Sequence, residues 1–514
     1  MNSCHRRSVG RPCGRSWSGL PWCCCGALLV VMAALGGRPV GAAPPRPNVL
    51  FIMSDDLNNS LGCYGHPLVK SPHIDRLADR GVRFERAYCQ FPLCGPSRNS
   101  MLTGLYPNST GILRNGEIFR QTIPQHKSLS QAFRLAGYFA GRIGKLYHYN
   151  VPRSIGTNGH DDPGSWELEL NPAGCDRLLE ESEIFSLVPG SFGGTLSWYA
   201  SPRDGLQHTD GMLATDAEWV LERCARDRSR PFFLAVGFYR PHTPYVAPQP
   251  YFDGYPREQL PLVQGVAADL VDLPAPALGS QKPEQARLND DLRRQAIQAY
   301  FASITFMDAQ VGRVLAALDR LGLTENTIVV FTSDHGYHLG EHGLWQKMSL
   351  FEESSRVPLI IAGPGIKATG SVVQAPVGHV DLYPTLAELC EVERPGSLQG
   401  QSLVPMLTDP SVSGRNWALT QVTRGGTNNP FMGYSLRTPR WRYTEWDEGR
   451  RGRELYDHEV DPREQTNLAL RAEHAEEVKK LSELVRSAAV DTLPASGKVP
   501  EIRHGVWAPN LTDP

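Results

Sequence analysis

The chain has 514 residues, 41% of them hydrophobic and 21% charged, with 52 basic against 54 acidic side chains. That is enough apolar material for a large core and for two domains. A near-neutral, slightly acidic chain excludes a general binder of nucleic acid or anionic membrane, so any affinity for anions has to come from a local cluster of cations.

The first 42 residues stand apart. Arg6, Arg7, Arg11 and Arg15 precede an apolar run from Cys23 to Leu35, and "GRPVGAAPP" follows. This order of basic, apolar and small-residue regions predicts a secretory signal cleaved after Ala42, with an apolar run shorter than the roughly 20 residues of a spanning helix. The expectation is an exported protein, in a periplasm, outside the cell or in a lysosome-like lumen, with no stable membrane span. Cleavage takes away five arginines and no acid, moving the formal charge from −2 to −7. It also leaves only Cys63, Cys89, Cys94, Cys175, Cys224 and Cys390, too few and too scattered for a disulfide framework. Cys94 aside, they read as small buried hydrophobes.

"PNVLFIMSDD" carries an unbroken apolar run, Val49 to Met53, that stops at Asp55 and Asp56, as a strand buried on both faces would. "SPHIDRLADRG" predicts a short helix capped at Ser71 and stopped at Gly81. "PFFLAVGFYRPH" is a second apolar run ending at His242, and residues 254–290, rich in proline, glycine and polar residues, read as a long surface excursion. Tyr300, Ile304, Met307, Val311, Val314 and Leu318 recur at spacings of four and three, which predicts an amphipathic helix ending before Gly322. It feeds "NTIVVFTSDHG", another buried strand that ends on an acid, Asp334. Alternating strand and helix predicts a doubly wound α/β sheet with helices on both faces. Ligands gather at the carboxyl ends of such strands, so these acids and His242 are predicted to share one site.

From about residue 412 the texture changes. "MGYSLRTPRWRYTEW" alternates like paired strands, "ELYDHEVDPREQTNLA" reads as a turn, and Ala472 to Ala488 as a closing helix. The division is thus a signal over 1–42, a catalytic α/β domain over 43–411 and a smaller antiparallel sheet plus helix over 412–514.

Two adjacent carboxylates, Asp55 and Asp56, repel unless a cation or a proton intervenes. With Asp334 and its neighbour His335 they make an oxygen-rich set that favours Ca²⁺ or Mg²⁺ over zinc. His338 and His342 in "GYHLGEHG" read instead as structural hydrogen-bonding groups, since the glycines argue against a helix there. His379 and Asp381 in "GHVDLYPTLAEL" read as capping ahead of a core helix. Sequons begin at Asn58, Asn108 and Asn510.

"CGPSR", Cys94 to Arg98, followed by "SMLTG", resembles the signature of type I sulfatases, and "IMSDD" and "SDHG" occupy the places where that family keeps its metal acids. The resemblance runs from Pro47 to the "LYDHEVDPREQTNLA" segment. It implies an alkaline-phosphatase-like mixed sheet and conversion of Cys94 to formylglycine by a formylglycine-generating or sulfatase-maturating enzyme. It further implies a calcium ion held by Asp55, Asp56, position 94, Asp334 and His335. One hydroxyl of the hydrated aldehyde would attack sulfur and the other would expel sulfate, splitting the reaction into two easier steps. Arg98 would hold the diol, and Lys145, His242 and Lys347 would contact sulfate. Either His242 or His148 would protonate the leaving oxygen.

"GKLYH" with "HDDPGSW", the histidine of "SDHG" and "LGEHGLWQKMSLFEESSRVPLI" are similar to the iduronate-2-sulfatase subgroup, which implies a sulfated saccharide substrate. Tyr337 and the loop from Pro152 to Trp166 are then expected near the sugar. The competing readings are a phosphate or phosphonate ester hydrolase of the same superfamily and an inactive carbohydrate-binding homologue. The intact set Asp55, Asp56, Cys94, Arg98, Asp334 and Lys347 argues against the latter.

Overall fold

The computed structural model describes residues 46–503; the signal segment and the Asn510 sequon lie outside them. The elements used below, in chain order, are β1 (Asn48–Ser54), α1 (Pro72–Arg80), β2 (Gly81–Tyr88), α2 (Cys94–Thr103), β3 (Phe139–Gly144), β4 (Leu168–Leu170), α3 (Thr209–Arg226), β5 (Phe232–Gly237), α4 (Asp290–Arg320), β6 (Thr327–Ser333), β7 (Arg356–Ala362), β8 (Ser371–Val373) and α5 (Leu382–Leu389). A second group follows: β9 (Ala418–Arg424), β10 (Phe431–Arg437), β11 (Trp441–Trp446), β12 (Arg453–Asp457) and α6 (Ala475–Asp491).

The main sheet runs β8-β2-β7-β6-β1-β5-β3-β4, with Val377–Gly378 adding a short ninth strand beside β2. Strands β4, β3, β5, β1 and β6 are mutually parallel, while β7 is antiparallel to both its neighbours, which makes the sheet mixed. β1 is buried along its whole length. Its side chains alternate between two cores: Leu50 and Ile52 pack with α1, α3 and α4, and Val49, Phe51 and Met53 with α2 and α5. That two-sided burial is why the run carries no polar alternation.

Helix α4 begins at Asn289, whose side chain accepts from the Leu292 N–H, and its six predicted stripe residues are all fully buried. By length and composition it is the one helix among the described residues that could cross a membrane. Here its apolar stripe packs in the sheet's core. The predicted cap of α1 is corrected: Ser71 holds the N-cap position, but its hydroxyl donates to Asp75 (2.9 Å) and accepts from the Gly62 N–H (2.8 Å). Asp381 likewise does not cap α5; its carboxylate accepts from Gly378 and Gln401 N–H groups and pairs with Arg415, so it ties loops together. The 254–290 excursion is a string of short helical turns that buries Leu260, Asp269, Ala277 and Leu288.

Strands β9 to β12 form a four-stranded antiparallel sheet, with α6 packed on it through Leu481, Val485 and Ala488. α6 starts three residues later than predicted, after a turn over Ala472–His474. The "ELYD" residues assigned to a turn belong to β12, where Leu455 and Tyr456 are fully buried. The sequons at Asn58 and Asn108 are unsuited to glycosylation. Both residues are buried, and their amide nitrogens donate to the Tyr337 carbonyl and to Tyr434 and Thr492 hydroxyls. All six remaining cysteines are free thiols; Cys63 and Cys224 are partly exposed.

Candidate active site

Because β1, β3, β5 and β6 run parallel, their carboxyl ends meet along one edge of the sheet, and the residues that follow them are delivered to one place. β1 delivers Asp55 and Asp56, β3 delivers Lys145, β5 leads through Arg240 to His242, and β6 delivers Asp334 and His335. The register pairs Ser54 with Ser333, so Asp55–Asp56 and Asp334–His335 leave the sheet side by side.

Helix α2 closes the site from a fifth segment. Its ten residues are all buried, Cys94 lies in the first turn, and Arg98 follows at i+4 on the same face. Gly104 ends the helix at φ 67°, in the left-handed region that glycine tolerates best. The signature is therefore a helix written out from its reactive end to its stop. The Ser97 hydroxyl donates to the Asp334 carbonyl, fastening α2 to the end of β6.

Arg98 is fully buried and joins Asp55 to Asp334. Its Nε donates to Asp334 Oδ2 at 2.9 Å and its Nη2 to Asp55 Oδ1 at 2.8 Å. Nη1 donates to the carbonyls of Lys145 and Leu146 at 2.7 and 3.1 Å. The other Asp55 oxygen accepts from Lys145 Nζ at 2.5 Å, so both its oxygens are committed to cations. Lys347 Nζ lies 2.5 Å from Asp56 Oδ1 and 3.2 Å from Cys94 Sγ. His335 Nε2 stands 3.3 Å from Cys94 Sγ and 3.3 Å from Asp56 Oδ1.

Burial alone would push the Cys94 thiol up, but Lys145, Lys347 and His335 outweigh it and hold the thiol well below its usual range. Burial lifts the Asp334 carboxyl to about 6 against the pull of Arg98. Three carboxylates, Asp55, Asp56 and Asp334, are thus set against three cations, Arg98, Lys145 and Lys347.

Ligand atoms of Asp56, Cys94, Asp334 and His335, all buried, lie within 4.8 Å of one another, and Asp55, Asp56 and His242 form a second such group. Asp56 Oδ2 is buried without a hydrogen-bond partner, an arrangement that costs free energy until a cation or donor meets it. That orphaned oxygen and the carboxylate-rich donors fit a hard divalent cation. Asp56 also has a left-handed backbone, φ 66°, held by its N–H to Asp334 Oδ1 (3.1 Å) and by the Tyr300 hydroxyl on its carbonyl (2.7 Å). Strain of this kind persists only where the surroundings fix it.

His242 sits over the group with Nε2 3.8 Å from Asp56 Oδ2, while Nδ1 faces the Thr243 carbonyl at 2.5 Å. His148 is buried, has no hydrogen bond on either ring nitrogen, and is held below its ordinary pKa by burial, with Lys145 adding to the effect.

All eleven predicted positions except Tyr337's supposed sugar contact thus fall at this edge. Tyr337 is fully buried; it stacks on Tyr300 and its hydroxyl accepts from Tyr245 at 2.6 Å. His338 and His342 stand outside the group, bonded to Ser349 (2.6 Å) and Asp269 (3.0 Å), as structural residues. Sequence reading misses the frame of Lys347. Its neighbours Gln346 and Met348 both have positive φ, 73° and 71°. Lys282 Nζ holds the Gln346 side chain at 2.6 Å, and Arg424 holds the Met348 carbonyl at 2.5 Å. A solitary lysine in "GSQKPEQ" offers no periodicity or motif that could have flagged it.

Comparison with known proteins gives a consistent picture. A family profile described as Sulfatase matches residues 47–392, and one described as N-sulphoglucosamine sulphohydrolase, C-terminal, matches 340–491. A "Sulfatase" of Formosa agariphila is 35% identical over 82% of this chain and 83% of its own length. Human "Iduronate 2-sulfatase" is 31% identical over 84% of this chain and 90% of its own. A crystal structure of the phosphonate monoester hydrolase of Agrobacterium radiobacter superposes with a TM-score of 0.73 at 24% identity, covering 89% of this chain and 100% of that one, a likeness of fold.

Proposed function

This chain belongs to the sulfatase family, and we propose that it is an exported enzyme that removes sulfate from a sulfated sugar, with a specificity like that of iduronate-2-sulfatase. The observation that carries the reading is the meeting of Cys94 with Asp56, Asp334 and His335 inside 4.8 Å, from three segments distant in sequence. A pure binding protein has no use for a thiol so placed.

Asp55, Asp56, Asp334 and His335 would hold calcium, and a maturation enzyme would convert Cys94. When present, formylglycine at position 94 supplies a nucleophilic hydroxyl, and calcium the charge that favours its ionised form. The chain's own residues do the rest. Three acids already balance three cations, so a divalent ion leaves the site positive overall, the sign that draws a sulfate ester. Lys145 and Lys347 aim preorganised charge at the oxygens on which charge grows, the arrangement that lowers such barriers most. Arg98 keeps the carboxylates from folding back on that space. With Nδ1 of His242 given to Thr243, its Nε2 is left to hand a proton to the leaving oxygen; His148, with both nitrogens free, is the other candidate.

Export is supported by the predicted signal, and the subtype by the similarity to the human enzyme. The test is peptide mass spectrometry across Cys94 from the native source, together with turnover of sulfated disaccharides and of a phosphonate monoester. The expected result is formylglycine at position 94, sulfate release, and none from Cys94→Ala. Unmodified Cys94 with no sulfate release would overturn the reading, and faster turnover of the phosphonate would reassign the substrate class.

A further inference from the structure

Beside the catalytic group lies a cavity of about 320 Å³ whose walls include Asn150, Pro152, Arg153, Ser191, Gly193 and Gly194. Three ties bind it to the active site. Asn150 follows two residues after His148. The Gly193 carbonyl accepts from the Thr243 hydroxyl at 2.9 Å, next to His242. The Gly194 carbonyl accepts from Lys282 Nζ, whose other bond, at 2.6 Å, goes to Gln346, next to Lys347. The walls touch each other directly: a Cβ on Gly193 would fall 1.6 Å from the Val151 carbonyl, so only glycine fits.

The charges here are unmatched. Arg153 is exposed and makes no hydrogen bond or ion pair among the described residues, so its five N–H donors are uncommitted. Lys282 has no carboxylate partner among the described residues, and two of its three donors go to neutral oxygens. Glu181, the acid in the lining, is already paired with Arg177. A cavity with spare cationic donors next to a sulfate-ester site is suited to a second anion on the same substrate.

We propose that this cavity, through Arg153 with Lys282 at its edge, binds a second anionic group of the saccharide, a carboxylate or a further sulfate, adjoining the ester that is cleaved. The proposal rests on the sulfatase reading for the position of that ester. A hydrogen bond from a charged donor is worth about 1.5–3 kcal/mol, or tenfold and more in affinity.

The test measures binding by calorimetry to the full mature chain carrying Cys94→Ala, which does not depend on hydrolysis. Three probes are compared: a neutral disaccharide monosulfate, the same with a uronate carboxylate, and the same with a second sulfate. One or both dianionic probes should bind at least about tenfold more tightly than the monosulfate, and adding Arg153→Gln should abolish that ratio. Lys282→Met should reduce it and Lys282→Arg restore it. The probe that shows the preference identifies the second anion. Equal affinity for all three probes, or an Arg153→Gln loss of the same factor on every probe, would overturn the subsite. Failure of the native enzyme to release sulfate would sink the sulfatase reading while leaving this ratio readable.

Discussion

Replacing Arg98 with methionine should cost about 3–5 kcal/mol, the usual penalty for removing one partner of a buried ion pair. Methionine fills much of the same volume and adapts to irregular gaps, so the loss is electrostatic more than a cavity effect. The guanidinium is fully buried and makes four bonds, two to carboxylates at 2.8 and 2.9 Å and two to carbonyls at 2.7 and 3.1 Å. Asp55 would keep Lys145 at 2.5 Å and Asp334 Oδ1 its two backbone N–H donors, but Asp334 Oδ2 would be stranded, with His335 Nε2 at 3.5 Å as its nearest basic group. Against a typical total of about 5–15 kcal/mol this is a large share. Urea unfolding followed by far-UV circular dichroism and tryptophan fluorescence, both with EDTA present so that metal loss is not the variable, gives the shift. Adding Asp334→Asn to Arg98→Met removes the stranded charge, so the double variant should be more stable than the sum of the singles by at least about 1 kcal/mol. A methionine variant within about 0.5 kcal/mol of the parent, or strict additivity, would refute the reasoning.

Long incubation with excess EDTA should lower both sulfate release and the thermal midpoint, and calcium should restore them; saturation at 100 times the dissociation constant is worth about 2.7 kcal/mol. An unchanged midpoint would count against an ion on Asp56. Of His148→Gln and His242→Gln, the one removing the proton donor should lose about 10²- to 10⁴-fold on a sugar sulfate but far less on nitrophenyl sulfate, whose phenolate leaves without help. Equal losses on both substrates would mean that the residue tested does not donate. Asp308, on α4, accepts from the first amides of α1, yet burial outweighs them and lifts its carboxyl to about 7. Between about pH 4 and 7 the folded state holds a proton that the unfolded chain has released, so this group's contribution to stability falls as pH rises through that window. Asp308→Asn should flatten that slope and raise the unfolding midpoint at pH 8 relative to the parent; a slope left unchanged would show that Asp308 is ionised throughout.

What the sequence declares are features whose cause is local. An unbroken run such as Val49 to Met53 has no face to spare for water, so its burial and the strand can be read directly. The signature from Cys94 to Gly104 is legible because it is one helix, its reactive end, its i+4 arginine and its stop all in eleven residues. What stays hidden depends on partners far along the chain. Ser71 has the right residue type and position for a cap, and only the fold shows its hydroxyl engaged by Gly62 and Asp75. The Tyr300 that marks a helix stripe also holds the Asp56 carbonyl, a second role that periodicity cannot announce. The subgroup resemblance puts Tyr337 near the sugar; its burial against Tyr245 and Tyr300 is a tertiary fact that no resemblance of motifs conveys.

Cys94 is 1% exposed, on a helix with no open face, seated under a lysine and a histidine. No second protein could bring its own catalytic apparatus against that sulfur once the strands have closed around it. If the proposed maturation enzyme oxidises Cys94, that step would therefore have to come before the chain has finished folding, while the segment is still extended. On that reading, a molecule that kept its thiol past this interval would be sealed in that form, correctly shaped and idle.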